Sequence, residues 1–266
     1  DAVEGSGSLD TETRAQLERL GYVATSRGQG HGSGSGRDPK EGIALWNRIQ
    51  LGIAQMGQGA HREAAATFEE VLAEDPDIPL VYESLATCWR EQSEEWKAAS
   101  VLRAGLERGI DSAHVHRDLG QILLELGERD SAEGHLQRAL ELDPQSVVAH
   151  HELGNLYRGA AAFDRAIRHY KAALDLNPNY LWAWNGLAMT LATKGEAEEA
   201  TTAFRRVVQI APDDPRGLFN LAVQLERVGP TEEALSVYER FLELAEDGGL
   251  EAQRRQAASA VERLRR

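Results

Sequence analysis

Apolar residues recur three and four positions apart along most of this chain, which is the spacing of one face of an α-helix. Between residues 147 and 180, apolar or aromatic residues occupy positions 153, 156 and 157 and then positions 166, 167, 170, 173 and 174. No segment alternates apolar and polar residues over the length of a strand. The pattern therefore predicts pairs of short amphipathic helices and an all-α fold.

The helical pattern recurs at one fixed spacing, the repeat interval, which is the step in sequence from Ala132 to Ala166. One column is alanine in all six copies (Ala64, Ala98, Ala132, Ala166, Ala200, Ala234), and a second is leucine in all six (Leu51, Leu85, Leu119, Leu153, Leu187, Leu221). Glycine stands midway through four copies, where it allows a left-handed turn, and proline near the end of four copies stops the second helix. The repeat predicts six helical hairpins over residues 45–78, 79–112, 113–146, 147–180, 181–214 and 215–248.

The invariant columns have a packing explanation. Alanine lets two helices approach closely, and leucine fills the space beside the contact. A single hairpin cannot bury its apolar face, whereas a stack of hairpins buries a continuous core. The repeat therefore predicts a solenoid.

The repeat closely resembles that of the tetratricopeptide repeat family. The copy at 147–180 carries the motif through Leu153-Gly154, Tyr157, Ala166, Tyr170, Ala173 and Pro178. The copy at 79–112 departs from it, with Ser93 and Gly105 where the motif has glycine and alanine. The resemblance implies a right-handed α-solenoid of six hairpins that acts as a protein-binding scaffold.

The two ends differ from the repeats. Residues 249–266 place Leu250, Ala257, Val261 and Leu264 on one stripe, which predicts a C-terminal capping helix. Residues 1–44 form a predicted N-terminal arm, with a short helix over residues 9–21 and a glycine-rich linker over residues 28–36. If the arm docks onto a neighbouring copy, the chain is a homo-oligomer or a filament.

The junction between the arm and the first repeat resembles another group of proteins, the bacterial sulfatase-like proteins that continue into such repeats. The matching residues are Leu20-Gly21-Tyr22-Val23 and Asp38-Pro39-Lys40. The catalytic Cys/Ser-x-Pro-x-Arg motif of those proteins is absent from the sequence. The alternative function is therefore a regulatory or anchoring tail of an exported hydrolase, which favours an extracellular or periplasmic location.

Charge and composition exclude several classes of partner. The 266 residues carry a formal net charge of −14, so the chain repels the phosphate backbone of a nucleic acid. No apolar run is long enough to insert into a membrane. No phosphate-binding loop, His-Glu-x-x-His or Cys-x-x-Cys spacing occurs, and we predict no catalytic residue, no metal site and no cofactor.

Four histidines also follow the repeat. His116 and His150 lie one repeat interval apart on first helices, and His135 and His169 are related in the same way on second helices. We interpret all four as packing or surface residues.

The first helices of stacked hairpins should line a concave groove that binds an extended peptide. Counted from the first residue of each copy, block positions two, five, nine and twelve should face it. Among the residues at these positions, ten are the candidates: Arg90, His114, Arg117, His151, Asn155, Arg158, Trp182, Asn185, Met189 and Phe219. Within this set, Arg90, Arg117 and Arg158 form a predicted basic cluster for a carboxylate. Trp182, Met189 and Phe219 form a predicted apolar platform beside it.

Two other interpretations of the groove are relevant. The arginines could instead pair with nearby Glu83, Glu91, Glu125 and Glu152 and do nothing else. The candidate set also does not reproduce the Lys/Asn/Asn/Lys/Arg carboxylate clamp of chaperone-binding members of the family, which disfavours a receptor for chaperone tails.

Overall fold

The computed structural model describes residues 39–229, 231–245 and 249–266, with only the backbone described for residues 39–41. These residues form thirteen helices and no strand, which confirms the all-α fold. None of the described helices is long and apolar enough to cross a membrane. The predicted short helix over residues 9–21, the glycine-rich linker and junction residues 20–23 and 38 lie outside the described residues.

The helices follow one another in pairs, each pair joined by a short turn. Their bounds are α1 Pro39–Gly57, α2 His61–Glu74, α3 Pro79–Glu91, α4 Glu95–Glu107, α5 Ala113–Glu125, α6 Arg129–Leu142, α7 Val147–Gly159, α8 Phe163–Leu176, α9 Leu181–Lys194, α10 Ala197–Ile210, α11 Pro215–Val228, α12 Thr231–Leu244 and α13 Glu251–Leu264. The chain divides into two compact units, the first ending at Val115 and the second beginning at His116. The candidate site described below belongs to the second unit.

The turns inside the hairpins need a left-handed residue. Glycine supplies it in four of them, as at Gly127 with φ 80° and Gly195 with φ 92°. In the remaining two turns, Ser93 and Ala161 take positive φ values of 57° and 56°. The backbone therefore keeps the same turn where glycine is missing, at the steric cost of a Cβ in the left-handed region.

Small residues bring the two helices of each hairpin together. All six alanines of the invariant column are fully buried. A glycine on the first helix often faces a large side chain of the second: a Cβ added at Gly52, Gly120 or Gly154 would lie 2.6, 2.7 or 2.6 Å from Phe68, Leu136 or Tyr170. The contact is therefore closer than any larger residue on the first helix would allow.

The leucine column departs from expectation at its first member. Five of the six leucines are buried, but Leu51 on α1 is 52% exposed. The sequence pattern predicted that all six fill the space beside the alanine, and for Leu51 this is wrong. The equivalent leucines lie in hairpins that follow another hairpin, whereas no hairpin precedes α1 among the described residues.

The C-terminal helix closes the second unit as its apolar stripe predicted. Leu250, Ala257 and Val261 are buried and Leu264 is partly buried. They share one cluster with Leu218, Ala222, Tyr238, Phe241 and other residues of α11 and α12. Helix α13 therefore completes the core of the last hairpin.

Candidate functional site

One pocket in the second unit brings together most of the predicted groove residues. It has a volume of about 570 Å³ and is lined by side chains of three first helices, α7, α9 and α11. Six of the ten candidates line it: His151, Asn155, Arg158, Trp182, Asn185 and Met189. We call it the α7–α11 pocket; its other lining residues are Leu181, Gly186, Asp214, Arg216 and Asn220.

Helical spacing explains why these residues share the pocket. On α7, His151, Asn155 and Arg158 are separated by four and three positions, which places them on one face of the helix. On α9, Asn185 and Met189 occupy the positions that His151 and Asn155 occupy on α7, since the two helices begin one repeat interval apart, and Trp182 lies one turn earlier on the same face. Successive first helices therefore present equivalent rows of side chains to the same space.

A tyrosine from a second helix fixes two of the lining side chains. Tyr170 on α8 donates a hydrogen bond from its hydroxyl to Asn155 Oδ1 at 2.8 Å and accepts one from Arg158 Nε at 3.4 Å. The Tyr170 ring reaches this position because Gly154 and Gly186 leave room for it on either side. Burial raises the pKa of Tyr170, which keeps the hydroxyl protonated as a donor.

Asn155 is held by further neighbours. Its Nδ2 lies 3.3 Å from His151 Nε2 and donates to Glu152 Oε2 at 3.3 Å. Glu152 Oε1 in turn lies 3.3 Å from His151 Nδ1. Together with the bond from Tyr170, these contacts fix the orientation of the Asn155 amide before any ligand arrives.

The pocket combines positive charge, amides and an exposed apolar surface. Arg158 is half-buried and Arg216 is exposed, while Trp182 and Met189 are 62% and 44% exposed. Asp214 contributes one carboxylate, which caps α11 by accepting the backbone N–H of Arg216 at 3.1 Å. Two guanidinium groups suit a carboxylate, and the carboxamides of Asn185 and Asn220 match the donor and acceptor of a peptide group.

The predicted basic cluster is only partly supported by these contacts. Arg117 donates from Nε to Asp118 Oδ1 at 2.8 Å and does not line the α7–α11 pocket. Its ion-pair partner is thus Asp118, which was not among the four glutamates expected to pair with these arginines. Arg216, which the candidate set omitted, lines the pocket with Arg158.

The other candidates lie elsewhere. Phe219 lines a smaller adjacent pocket, described further below. Arg90 on α3 is half-buried and His114 near the start of α5 is exposed, and both belong to the first unit. Arg216 could have been found from the sequence, because it stands one repeat interval after Trp182 at a position expected to face inward.

In two consecutive hairpins, a pair of histidines joins the first helix to the second. His116 Nδ1 lies 2.8 Å from His135 Nδ1, and His150 Nδ1 lies 3.2 Å from His169 Nδ1. Within the described ranges, no three His, Cys, Asp or Glu side chains are grouped to hold a metal ion. Each pair is a hydrogen-bonded contact between the two helices of its hairpin.

Comparison with protein families gives one consistent result. Four models described as tetratricopeptide repeat match the chain, at residues 49–113, 113–146, 157–218 and 218–252. No curated protein sequence matches it.

Solved structures of the same kind are similar in fold. PilF of Pseudomonas aeruginosa is 22% identical with a TM-score of 0.70, over 83% of this chain and all of that one. PilW, described as a type IV pilus biogenesis factor, is 20% identical with a TM-score of 0.70, over 77% of this chain and 96% of that one. YrrB, described as having an unusual peptide-binding site, is 20% identical with a TM-score of 0.58, over 72% of this chain and 99% of that one.

Proposed function

Because the chain belongs to the tetratricopeptide repeat family, we propose that it is a non-catalytic interaction scaffold that holds an extended peptide in the α7–α11 pocket. The observation that carries the proposal is the convergence of Arg158, Asn155, Asn185 and Arg216 beside an exposed tryptophan. YrrB, which shares the fold, is described as having a peptide-binding site. The peptide carries a carboxylate for the two arginines, and its backbone pairs with the asparagines.

The pocket is suited to binding more than to reaction. Its volume lies in the usual range for ligand pockets, roughly 300–1,000 Å³, at about 570 Å³. Its polar groups are guanidinium, amide and imidazole groups and the carboxylate of Asp214, which caps α11, with Trp182 as an apolar surface. Such an arrangement fixes the position of a ligand and leaves its bonds unchanged.

A peptide selection tests this site. Random peptides displayed on phage are selected on the full chain, and the affinity of the enriched peptide is measured by fluorescence anisotropy. Replacing Arg158 and Arg216 together with alanine should weaken binding at least tenfold, because each charged hydrogen bond contributes about 1.5–3 kcal/mol. Arg117→Ala is the matched control, since Arg117 is paired with Asp118 outside the pocket, and it should leave the affinity within about twofold. Failure to enrich any peptide, or equal affinities for the double variant and the wild type, would refute the site.

We also propose that the chain self-assembles through its N-terminal end. The supporting observation is Leu51, which is 52% exposed where the five equivalent leucines are buried. The N-terminal arm of a second copy covers this end of the first unit in the proposal. An apolar packing position left open in this way is a typical interface residue.

Light scattering coupled to size-exclusion chromatography measures the oligomeric state directly. The full chain should elute as a dimer or larger assembly, and a chain lacking residues 1–37 should be a monomer. Leu51→Gln should weaken the assembly, whereas Leu176→Gln, at another exposed leucine, should not. Equal monomeric masses for the full and shortened chains would end the self-assembly proposal.

The alternative function, a tail of an exported sulfatase-like hydrolase, stays a prediction. Most of the residues that carry that resemblance, at 20–23 and 38, are outside the described part of the chain. The coding sequence upstream of Asp1 tests it, since the alternative requires a hydrolase domain in the same reading frame.

A further inference from the structure

We propose that the C-terminal helix α13 is part of the peptide-binding groove and, with α11, forms a subsite for one bulky apolar side chain of the bound peptide. The inference rests on the proposed function, since the same peptide places its carboxylate at Arg158 and Arg216. It defines the partner as a peptide in which an acidic group lies close to an apolar residue.

The register of α13 is the first argument. Leu250 and Gln253 follow Arg216 and Phe219 by one repeat interval. Helix α13 therefore continues the row of first helices, α7, α9 and α11, instead of standing outside the series. Its residues at block positions two and five are expected to face the groove as those of α11 do.

The second argument is a pocket between α11 and α13. This α11–α13 pocket has a volume of about 210 Å³ and is lined by Arg216, Phe219, Asn220, Phe241, Leu250 and Gln253. It is smaller than the roughly 300–1,000 Å³ of pockets that enclose a whole drug-sized ligand. It therefore fits a single side chain, for which Phe219, Phe241 and Leu250 supply the apolar part of a lining that also includes Arg216, Asn220 and Gln253.

The walls of this pocket are held in place. Phe241 is fully buried, and the ring centroids of Phe219 and Phe241 lie 5.2 Å apart. Leu250 is 9% exposed and belongs to the same core cluster. An apolar side chain that enters the pocket thus meets a preformed surface, which lowers the cost of ordering on binding.

The third argument is that the two pockets adjoin. Arg216 and Asn220 line both of them. A peptide that crosses α11 therefore contacts the two arginines on one side and the aromatic pocket on the other. The shared residues place the acidic and apolar groups of the ligand close together along one extended segment.

The local charge supports an acidic ligand. Glu226 on α11 stands at the block position that Arg158 occupies on α7, and it would repel such a ligand. Its carboxylate accepts a hydrogen bond from Tyr238 at 2.8 Å and forms an ion pair with Arg263 of α13. Helix α13 therefore also supplies a positive charge that balances this glutamate.

A pair of charge variants on α13 separates this inference from the proposed function. Gln253 lines the α11–α13 pocket, whereas Gln256 on the same helix is exposed and does not. Gln253→Glu should weaken binding of the selected peptide at least fivefold, because a charge at an apolar contact must be desolvated when the peptide binds. Gln256→Glu adds the same charge outside the pocket and should change the affinity less than twofold.

The peptide itself supplies the other half of the experiment. Replacing its apolar residue with serine should weaken binding to the wild type about tenfold, since the large apolar side chain is no longer removed from water. The same serine replacement in the peptide should weaken its binding to the Gln253→Glu variant less than threefold. This smaller effect would show that the apolar residue of the peptide contacts Gln253. Versions with a free or amidated C-terminus then distinguish a terminal carboxylate from an acidic side chain.

Each outcome assigns success or failure to one of the two proposals. If Arg158→Ala with Arg216→Ala weakens binding but Gln253→Glu does not, the proposed function stands and the α13 subsite is wrong. If no peptide is enriched, or if the enriched peptides carry no acidic residue and no carboxylate dependence, both are wrong. Equal urea midpoints for the Gln253 and Gln256 variants show that any difference in affinity is not a difference in folding.

Discussion

Gly186→Ala should lower the free energy of unfolding by about 2–3 kcal/mol, because the site has no room for one more methyl group. A Cβ at Gly186 would lie 2.4 Å from Tyr170 Cε1 and 2.5 Å from Cζ. The Tyr170 ring cannot move away, since Gly154 on α7 also faces it closely. A Cβ added at Gly154 would lie 2.6 Å from Tyr170 Cε1. The added methyl group must therefore push α9 away from α8.

The measurement is urea-induced unfolding followed by circular dichroism. Gly134→Ala is a matched control: Gly134 lies within α6, is exposed, and has nothing within 4 Å of an added Cβ. Alanine is the better helix former, so this control should gain about 0.5–1 kcal/mol. If Gly186→Ala lowers the free energy of unfolding by no more than Gly134→Ala changes it, the close contact is contradicted. Combining Gly186→Ala with Tyr170→Leu should recover part of the loss, because the clashing ring is then absent.

Acidification should weaken the fold through His169. Burial is the main cause that lowers the pKa of His169 to about 4, and the positive charges of His150 and Arg168 lower it further, whereas Glu133 opposes the shift. In the unfolded chain the same imidazole titrates near 6.5. The folded state therefore binds fewer protons in this range, and its stability is complete above pH 6.5 and is lost as pH falls from 6.5 towards 4. Between pH 7.5 and 5.0 the contribution of His169 amounts to a loss of up to about 2 kcal/mol.

The geometry of the pair explains the direction. With Nδ1 atoms 3.2 Å apart, His150 and His169 share one proton in a hydrogen bond. When both rings are protonated, two N–H groups face each other and the bond is lost. Burial lowers the pKa of His150 as well, although a hydrogen bond to the backbone of Pro144 opposes the shift.

Urea unfolding at pH 7.5 and pH 5.0 compares two variants. His169→Gln keeps a group that can donate to His150 but removes one titrating imidazole, so the difference in stability between the two pH values should shrink by about 2 kcal/mol or less. His114→Gln removes an exposed imidazole and should leave that difference unchanged. An equal pH dependence for His169→Gln and the wild type would refute the assignment.

The fold was predictable because its determinants recur within one sequence. The alanine column predicts where the two helices of each hairpin come into contact, and all six of its alanines are buried. The prediction failed at Leu51, which lies in the first hairpin, where no hairpin comes before it among the described residues. Position within the stack, and not residue type, decides the environment of that leucine.

The candidate site was predictable as a row of positions but not as a set of contacts. Six candidates share the α7–α11 pocket because helical periodicity alone aligns them. The basic cluster was predicted from charge, and charge does not reveal that Asp118 holds Arg117. Periodicity also could not show that Tyr170, on a second helix, reaches between two glycines to hold Asn155.

The hydroxyl of Tyr170 allows the α7–α11 pocket to be altered by a substitution that lies outside its lining. The equivalent residues of the other hairpins are Phe68, Leu102, Leu136, Phe204 and Tyr238. A tyrosine-to-phenylalanine exchange at this position removes a single oxygen from a buried ring, so it leaves the packing almost untouched while it removes one of the contacts that hold Asn155 or Glu226. Selectivity can therefore diverge between relatives by substitutions hidden in the interior, without any change among the residues that a ligand would touch.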